Sequence, residues 1–151
     1  MIPPTTESFA AAASVLAAYC RSLDTGDLAG LRSVFTADAE LVLADGTAHG
    51  VDAIAARYAP FFASARTSRH HLTNLEVLAA SDTEIEASAY LLVVTERAGN
   101  VSIASGTYRD HLLRQDGAWL IQRKAISMEV PFARVATRAD GGSHRRSGGG
   151  T

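Results

Sequence analysis

The first candidate for proton-transfer chemistry in this 151-residue chain is Asp24, which lies near the end of a predicted helix. It follows the apolar face of that helix by one turn and would lie at the helix C-terminus, where the helix dipole disfavours a carboxylate. One interpretation is therefore a functional carboxylate. The other, of equal weight, is a turn residue that accepts a hydrogen bond from the main-chain N–H of Gly26 or Asp27.

Two adjacent histidines, His70 and His71, lie in a predicted strand, so their side chains point to opposite faces of a sheet. The face of His71 also carries Leu75 and Val77 and is the more apolar one, which favours a buried core histidine. The face of His70 also carries Asn74, and a base beside an amide suits the wall of a pocket. From the residues alone, an ordinary half-exposed face is favoured over a pocket wall for His70.

Four further polar side chains are candidates for contacts with a ligand. Tyr108 and Asp110 share a strand face with Gly106, whose missing side chain would leave room for a ligand or for another stretch of backbone. A polar pair on an exposed surface is the alternative for Tyr108 and Asp110. Tyr19 and Tyr58 lie on the inner faces of two predicted helices. Ordinary core tyrosines are the commoner case, but buried hydroxyls need partners, and a polar pocket would supply them.

The sequence predicts no metal and no cofactor. A metal site built from Asp24, His70 and Asp110 is disfavoured, because no two of them have the spacing of a helical or hairpin ligand pair. The chain has no phosphate-binding glycine-rich loop, no Cys-x-x-Cys, no His-Glu-x-x-His and no Gly-x-Ser-x-Gly.

Composition excludes several classes of protein and of partner. With 47% hydrophobic residues and a net charge of −2, the chain suits one folded domain and does not suit a nucleic-acid partner. The longest apolar stretch, residues 9–20, is too short for a membrane span. A single cysteine, Cys20, fits a cytoplasmic protein. We expect one domain over residues 1–136 and a disordered tail over 137–151, which contains no large apolar residue.

Apolar spacing predicts helices in the first part of the chain and strands in the rest. The first helix extends over residues 6–23, and a short second one, capped by Asp27, includes Phe35 on its buried face. A strand follows at 39–45, and a third helix opens at 50–52 and is ended or kinked by Pro60. From residue 68 the period changes to two. Four long antiparallel strands are predicted at 68–79, 83–97, 101–115 and 118–130.

The predicted strand around residues 89–94 is apolar on both faces. A sheet with helices on one face and water on the other should have one polar face. Either both faces are covered within the chain, or the second face packs against another subunit. We favour the second alternative, which predicts a homodimer.

Six short segments occur in the order expected for one known family and extend over about residues 6–129. They read YCRSLDTGD at 19–27, FTADA at 35–39, GVDAI at 50–54, RHHLTN at 69–74, GTYRD at 106–110 and DGAW at 116–119. The chain resembles the SnoaL-like polyketide cyclase and scytalone dehydratase branch of the nuclear transport factor two-like superfamily. The resemblance implies an α+β fold, a cone-like barrel in which a curved, mainly antiparallel sheet wraps N-terminal helices around an apolar pocket.

The resemblance also assigns roles to the candidate residues. The dehydratase-like members place an aspartate at the end of the first helix against a histidine on the following long strand, which implies a catalytic pair of Asp24 and His70. His70 is preferred to His71 because the family spacing His-x-x-x-Asn leads from it to Asn74. His70 would act as general base or acid, and Asp24 would fix its tautomer. The implied substrate-binding residues are Tyr19, Tyr58, Asn74, Tyr108 and Asp110.

The predicted function is a cofactor-free lyase, isomerase or cyclase that acts on a hydrophobic, hydroxylated or carbonyl-bearing small molecule of the polyketide or secondary-metabolite kind. Dehydration, isomerisation and ring closure are all open. The alternatives are a non-catalytic small-molecule binding protein and the small structural subunit of a ring-hydroxylating dioxygenase. The predicted partners are the small substrate and a second copy of the chain, with no nucleic acid and no membrane.

Overall fold

The first helix of the computed structural model, which describes residues 4–135, carries one of the candidate residues. Helix α1 extends over Thr6–Thr25. The Thr5 hydroxyl accepts a hydrogen bond from the main-chain N–H of Ser8 at 3.1 Å, and Gly26 ends the helix in the left-handed conformation with φ 70°. The helix therefore extends past the predicted residue 23 and includes Asp24 in its last turn. The predicted disordered tail at 137–151, and residues 1–3 and 136 of the predicted domain, lie outside the described residues.

Two shorter helices follow, and they differ from the predictions at two points. Helix α2 occupies Leu28–Ser33 and is capped by Asp27, as predicted. Phe35 is not part of this helix. It begins a strand, and its ring packs edge-on against Tyr19 at 5.9 Å between centroids. Helix α3 occupies Val51–Phe62 and therefore continues for two residues past Pro60. Proline has no N–H to donate, but so close to the end of the helix this affects only the last turn.

Six strands form a single curved sheet in the order β2-β1-β6-β5-β4-β3. Strand β1 pairs in parallel with β6, and the other neighbours are antiparallel. The four predicted long strands are confirmed to within a few residues at each end, and β6 extends four residues further than expected. The predicted α+β cone fold is confirmed. The strands are β1 Phe35–Leu43, β2 Gly46–His49, β3 Thr67–Ala80, β4 Glu84–Arg97, β5 Asn100–Gln115 and β6 Ala118–Arg134.

Helix α1 buries its apolar face against the inner face of the sheet. Its buried side chains include Leu16, Tyr19 and Cys20, and they belong to one core cluster with residues of all the long strands. The space inside the cone next to α1 is filled by side chains, three of which are large and fully buried: Tyr19, Tyr108 and Lys124.

Strand β3 changes face along its length, which decides where its polar side chains point. Its pairing with β4 shifts register between Thr73 and Glu76, and Asn74 there adopts a left-handed conformation with φ 52°. A β-bulge of this kind interrupts the two-residue alternation. As a result, Leu75 and Val77 pack into the core although they do not share the parity of the half-buried His70.

Among the described residues, no helix has the length and apolar character that a membrane span requires.

Candidate functional site at the mouth of the cone

Asp24 and His70 form a hydrogen-bonded pair where the end of α1 meets the start of β3, a place that we call the mouth of the cone. The Asp24 Oδ1 atom lies 2.6 Å from Nδ1 of His70, and the main-chain N–H of His70 donates to both carboxylate oxygens at 3.2 Å. The His70 side chain is 7% exposed and that of Asp24 is 13% exposed. The structure thus brings the two predicted catalytic residues together, and Asp24 is not the local turn residue of the alternative interpretation.

The neighbouring His71 lies on the other face of β3, as the alternation predicts, but its side chain is exposed. The interpretation of His71 as a core histidine is therefore wrong. The apolar residues expected to share its face, Leu75 and Val77, turn inward only after the bulge at Asn74. His70 is the histidine that faces the interior.

Burial and nearby charges hold the imidazole of His70 in its neutral form. Burial lowers the pKa of His70 below its ordinary value, the Asp24 carboxylate raises it in part, and the positive charges of Arg66 and Lys124 lower it again. A neutral ring that donates from Nδ1 to Asp24 carries no proton on Nε2. That Nε2 atom has no hydrogen-bond partner among the described residues. It is a base with a free lone pair beside the mouth of the cone.

Two tyrosine hydroxyls meet further inside. The hydroxyl of Tyr19 lies 2.5 Å from that of Tyr58. Burial raises the pKa of Tyr58 to about 12 and that of Tyr19 well above its ordinary value, so both stay protonated at neutral pH. Tyr58 is half-buried and packs edge-on against Phe61, whose ring lies 6.4 Å from the ring of His70. One aromatic side chain therefore separates the hydroxyl pair from the base.

Asp110 forms a second ion pair, with Lys124, which the sequence analysis did not identify. The Lys124 ammonium donates to the two carboxylate oxygens of Asp110 at 2.9 and 3.2 Å, and both side chains are 0% exposed. The nitrogen also lies 3.5 Å from the ring centroid of Tyr108 and 4.3 Å from that of Tyr19. The Asp110 carboxylate, which was predicted to contact substrate, is therefore paired with Lys124 and fully buried. Tyr108 packs against that pair.

Burial acts on both members of this inner pair. It raises the pKa of Asp110 and lowers that of Lys124, while the attraction between the two charges opposes both shifts. Burial likewise raises the pKa of the neighbouring Cys20 thiol, to about 12. Cys20 is thus a protonated core residue and lacks the thiolate that a nucleophilic cysteine requires.

Asn74, the remaining predicted substrate-binding residue, does not reach the site. Its side chain is exposed and lines a cavity on the outer face of the sheet with Tyr90, Thr107 and Arg109. The register shift next to it is the physical reason, because the inserted residue turns the strand away from the face that His70 occupies.

A cavity of about 120 Å³ opens beside the Asp24–His70 pair, called the dyad below, and Asp24 is part of its wall. Its walls come from the end of α1, the end of α3 and the residues that lead into β3. Sequence reasoning did not place Phe61 or Arg66 in the site, although an arginine four residues before His70 was a visible signal. The lining residues are Leu23, Asp24, Thr25, Gly26, Phe61, Phe62, Ser64, Arg66 and Ser68.

In the described part of the chain, no three His, Cys, Asp or Glu side chains come close enough together to hold a metal ion. The carboxylate–imidazole pair at the mouth supplies two groups only. Proton transfer by a neutral imidazole is what this arrangement can do chemically.

Comparison with known proteins agrees with the fold. The family model of the SnoaL-like domain matches residues 4–125 of the chain. No curated protein gives a match to the chain. A proposed aromatic ring hydroxylase from Novosphingobium aromaticivorans has 23% identity and a TM-score of 0.79, covering 87% of this chain and 96% of its own.

Two further solved structures have names that refer to elimination reactions. A proposed scytalone dehydratase from Novosphingobium aromaticivorans has 22% identity and a TM-score of 0.76, covering 89% of this chain and 94% of its own. The hexachlorocyclohexane dehydrochlorinase LinA, type 2, has 20% identity and a TM-score of 0.75, covering 86% and 90%. At these identities the three structures establish the shared fold.

Proposed function

Because the chain belongs to the SnoaL-like domain family, we propose that it is a small cofactor-free lyase or isomerase. Its substrate is a hydrophobic molecule with a hydroxyl or carbonyl group, of the polyketide-like kind. Asp24 and His70 carry out the acid–base steps at the mouth of the cone. The proposal rests on the 2.6 Å contact between carboxylate and imidazole, which leaves the second ring nitrogen without a hydrogen-bond partner among the described residues.

His70 acts first as a general base. Its Nε2 removes a proton from the carbon next to a substrate carbonyl, and the carbonyl becomes an enolate. Asp24 keeps the ring in the tautomer that presents a bare Nε2 and then stabilises the imidazolium. A positioned general base contributes roughly 10²–10⁴-fold to a rate.

The proton then returns by one of two routes. In a dehydration, the enolate expels the hydroxyl group on the β-carbon, the imidazolium of His70 protonates that oxygen, and water leaves. In an isomerisation, the same imidazolium delivers the proton to a different carbon. Either route restores neutral His70 and needs no oxidant, reductant or cofactor.

In this proposal the tyrosine hydroxyl pair, which Phe61 separates from His70, polarises the substrate carbonyl. Tyr58 is half-buried and shares a 2.5 Å hydrogen bond with Tyr19, so it is held in one orientation. Its raised pKa keeps it a donor at neutral pH. A fixed donor facing an oxygen that gains negative charge stabilises an enolate more than a ketone.

The names of two structural relatives support an elimination. Dehydratase and dehydrochlorinase both denote the removal of a small molecule across a carbon–carbon bond, and such reactions generally begin with a base that takes a proton. The geometry around Nε2 of His70 supplies a base of that kind.

The test uses a bicyclic β-hydroxy ketone, β-hydroxytetralone, whose loss of water gives fluorescent naphthol. We expect wild-type protein to accelerate naphthol release, and to exchange the α-hydrogen for deuterium in heavy water. The His70→Ala variant should lose roughly 10²–10⁴-fold in rate, and Asp24→Asn should lose a smaller factor. His71→Ala is the matched control, since its side chain is exposed on the opposite face of β3.

Full turnover in both His70→Ala and Asp24→Asn would remove the dyad from the proposal. A wild-type protein that binds β-hydroxytetralone, yet neither exchanges its α-hydrogen nor releases naphthol, would instead favour the non-catalytic binding protein.

We also propose that the outer sheet face packs against a second copy of the chain. Tyr90 and Phe132 on this face are each 56% exposed, and Leu92, Met128 and Val130 are exposed beside them. Exposed apolar residues grouped in this way are typical of an interaction surface. Light scattering should give the mass of two chains, and the mass of one chain would contradict the proposal.

A further inference from the structure

The guanidinium of Arg66 is half-buried in the wall of the mouth cavity, next to the dyad. Arg66 directly precedes β3, stacks on the ring of Phe61 and lines the cavity that Asp24 also lines. Two of its nitrogens, Nε and Nη2, are buried and have no hydrogen-bond partner among the described residues. Burying a charged donor without an acceptor is unfavourable, so these two atoms indicate a group that the site receives from outside.

The two unpartnered atoms lie on one edge of the guanidinium. Their N–H bonds are parallel and spaced to match the two oxygens of a carboxylate, which accepts both at once. A ketone or hydroxyl oxygen would engage one of them well and leave the other poorly paired. The pairing requirement therefore favours a carboxylate over the neutral oxygen groups of the proposed substrate.

The charges around Arg66 favour an anion as well. Burial and the positive charge of Arg97 both lower the pKa of Arg66, and the ordinary value is high enough for the group to stay charged. Neither arginine belongs to an ion pair of the described residues, whereas others are paired with acids. Those paired arginines are Arg32 with Asp52, Arg57 with Asp45, and Arg123 with Glu40.

Asp24 is the acidic residue of the same cavity, and its negative charge is already engaged. Both of its oxygens accept hydrogen bonds from the main chain of His70, and one also contacts the ring. The Asp24 carboxylate thus faces His70, and it does not pair with the buried Nε and Nη2 atoms of Arg66.

We propose that Arg66 binds a carboxylate of the substrate at the mouth of the cone. The substrate class is then an aromatic or alicyclic acid, with its carboxylate close to the reacting carbon. Phe61, Phe62 and Leu23 are among the other lining residues of this cavity and offer apolar contacts to the ring. The volume of about 120 Å³ suits a carboxylate with part of a ring inside, since a cavity of about 150 Å³ holds benzene.

This inference rests on the proposed function in treating the bound acid as a substrate, but binding can be tested without turnover. The probes are benzoate and benzamide, which have the same shape and differ in charge. We expect nuclear magnetic resonance titration to show wild-type protein binding benzoate about tenfold more tightly than benzamide, the size of effect that one charge-assisted bidentate pair provides. Arg66→Gln should abolish that preference.

Two further variants control for folding and for general charge. Arg66→Lys keeps the charge but loses the two-donor edge, so it should retain a small part of the preference. Arg69→Gln removes an exposed arginine three residues further along, in β3, and should leave the preference unchanged. Equal affinities for the two probes in wild type, a preference that persists in Arg66→Gln, or no benzoate binding up to its solubility would each overturn the inference.

Failure of this inference and failure of the proposed function give different results. A protein that dehydrates neutral β-hydroxytetralone in a His70-dependent manner, but does not distinguish benzoate from benzamide, retains the acid–base mechanism and loses the carboxylate subsite. A protein with an Arg66-dependent preference for benzoate, but no His70-dependent turnover, retains the subsite and loses the mechanism.

Discussion

Two pairs of acidic and basic side chains lie in the same cone. They differ in whether one of their polar atoms lacks a hydrogen-bond partner. Asp24 and His70 at the mouth are 13% and 7% exposed, and one ring nitrogen has no partner among the described residues. Asp110 and Lys124 in the interior are 0% exposed, and both carboxylate oxygens are occupied. Burial and short distance are common to both pairs. A ring nitrogen without a partner distinguishes the pair at the mouth, which we propose to be the reactive one, from the inner pair.

The largest effect on stability should come from breaking the inner pair. Asp110→Asn leaves the Lys124 ammonium buried without a counter-charge, and removing one member of a buried pair costs about 3–5 kcal/mol. Urea unfolding should report that decrease in the free energy of unfolding. Asp24→Asn is the comparison at the mouth, where the pair is slightly more exposed, and it should cost about 1.5–3 kcal/mol, the worth of a hydrogen bond to a charged group.

A double replacement separates charge from packing in the interior. Asp110→Leu combined with Lys124→Met removes both charges and keeps a similar volume, which is often neutral or stabilising. We expect it to recover most of the stability lost in Asp110→Asn, and it remains informative if the single variant does not fold. Similar costs for Asp110→Asn and Asp24→Asn would contradict the distinction between the two pairs.

The inner pair shows why sequence reasoning did not identify Lys124 as the partner of Asp110. The turn at Asp116 and Gly117 was predicted, and counting back from it pairs Gln115 with Ala118. Continuing that count places Asp110 opposite Arg123. A register shift between His111 and Leu112 moves the partner by one residue, to Lys124. Bulges of this kind depend on packing against the rest of the sheet, and alternation alone does not reveal them.

The mouth pair was more accessible to sequence reasoning because each member lies near an element boundary. The helix end placed Asp24, and the parity of β3 placed His70 opposite His71; the family resemblance then selected His70. The same parity placed Asn74 with His70, which the bulge makes wrong. Arg66 was missed because its significance depends on hydrogen bonds that it does not make.

A smaller effect is expected at the tyrosine pair, which links the two regions. Tyr58→Phe leaves the hydroxyl of fully buried Tyr19 without its 2.5 Å partner, and an unsatisfied buried hydroxyl costs about 1–3 kcal/mol. Tyr19→Phe should cost less, because the half-buried Tyr58 can turn its hydroxyl toward water. Urea unfolding of both variants measures the difference.

The double variant Tyr19→Phe/Tyr58→Phe closes the cycle. With both hydroxyls gone, no buried group is left unpaired, so its cost should be less than the sum of the single costs. Strictly additive costs would mean that the two hydroxyls do not stabilise each other, and would weaken the view of Tyr58 as an oriented donor.

The smallest effect should be the pH dependence that His70 gives to stability. Because the pKa of His70 is lower in the folded protein than its ordinary value of about 6.5, the unfolded chain binds more protons between these two values. The free energy of unfolding therefore rises with pH across that window. The loss begins as the pH falls below about 6.5 and is complete below the folded pKa. Urea unfolding at a series of pH values measures this slope.

Three variants test the origin of that slope. His70→Gln should flatten it, because the titrating group is gone. Asp24→Asn should extend the loss to lower pH and make it larger, since the Asp24 carboxylate raises the pKa of His70 and its removal lets burial and the nearby positive charges lower that pKa further. The Asp110→Leu/Lys124→Met variant should narrow the window, because Lys124 is one of the charges that lower the pKa of His70. An unchanged slope in His70→Gln would mean that His70 is not the source of the pH dependence. A slope unchanged in Asp110→Leu/Lys124→Met would mean that the inner pair does not influence the imidazole at the mouth.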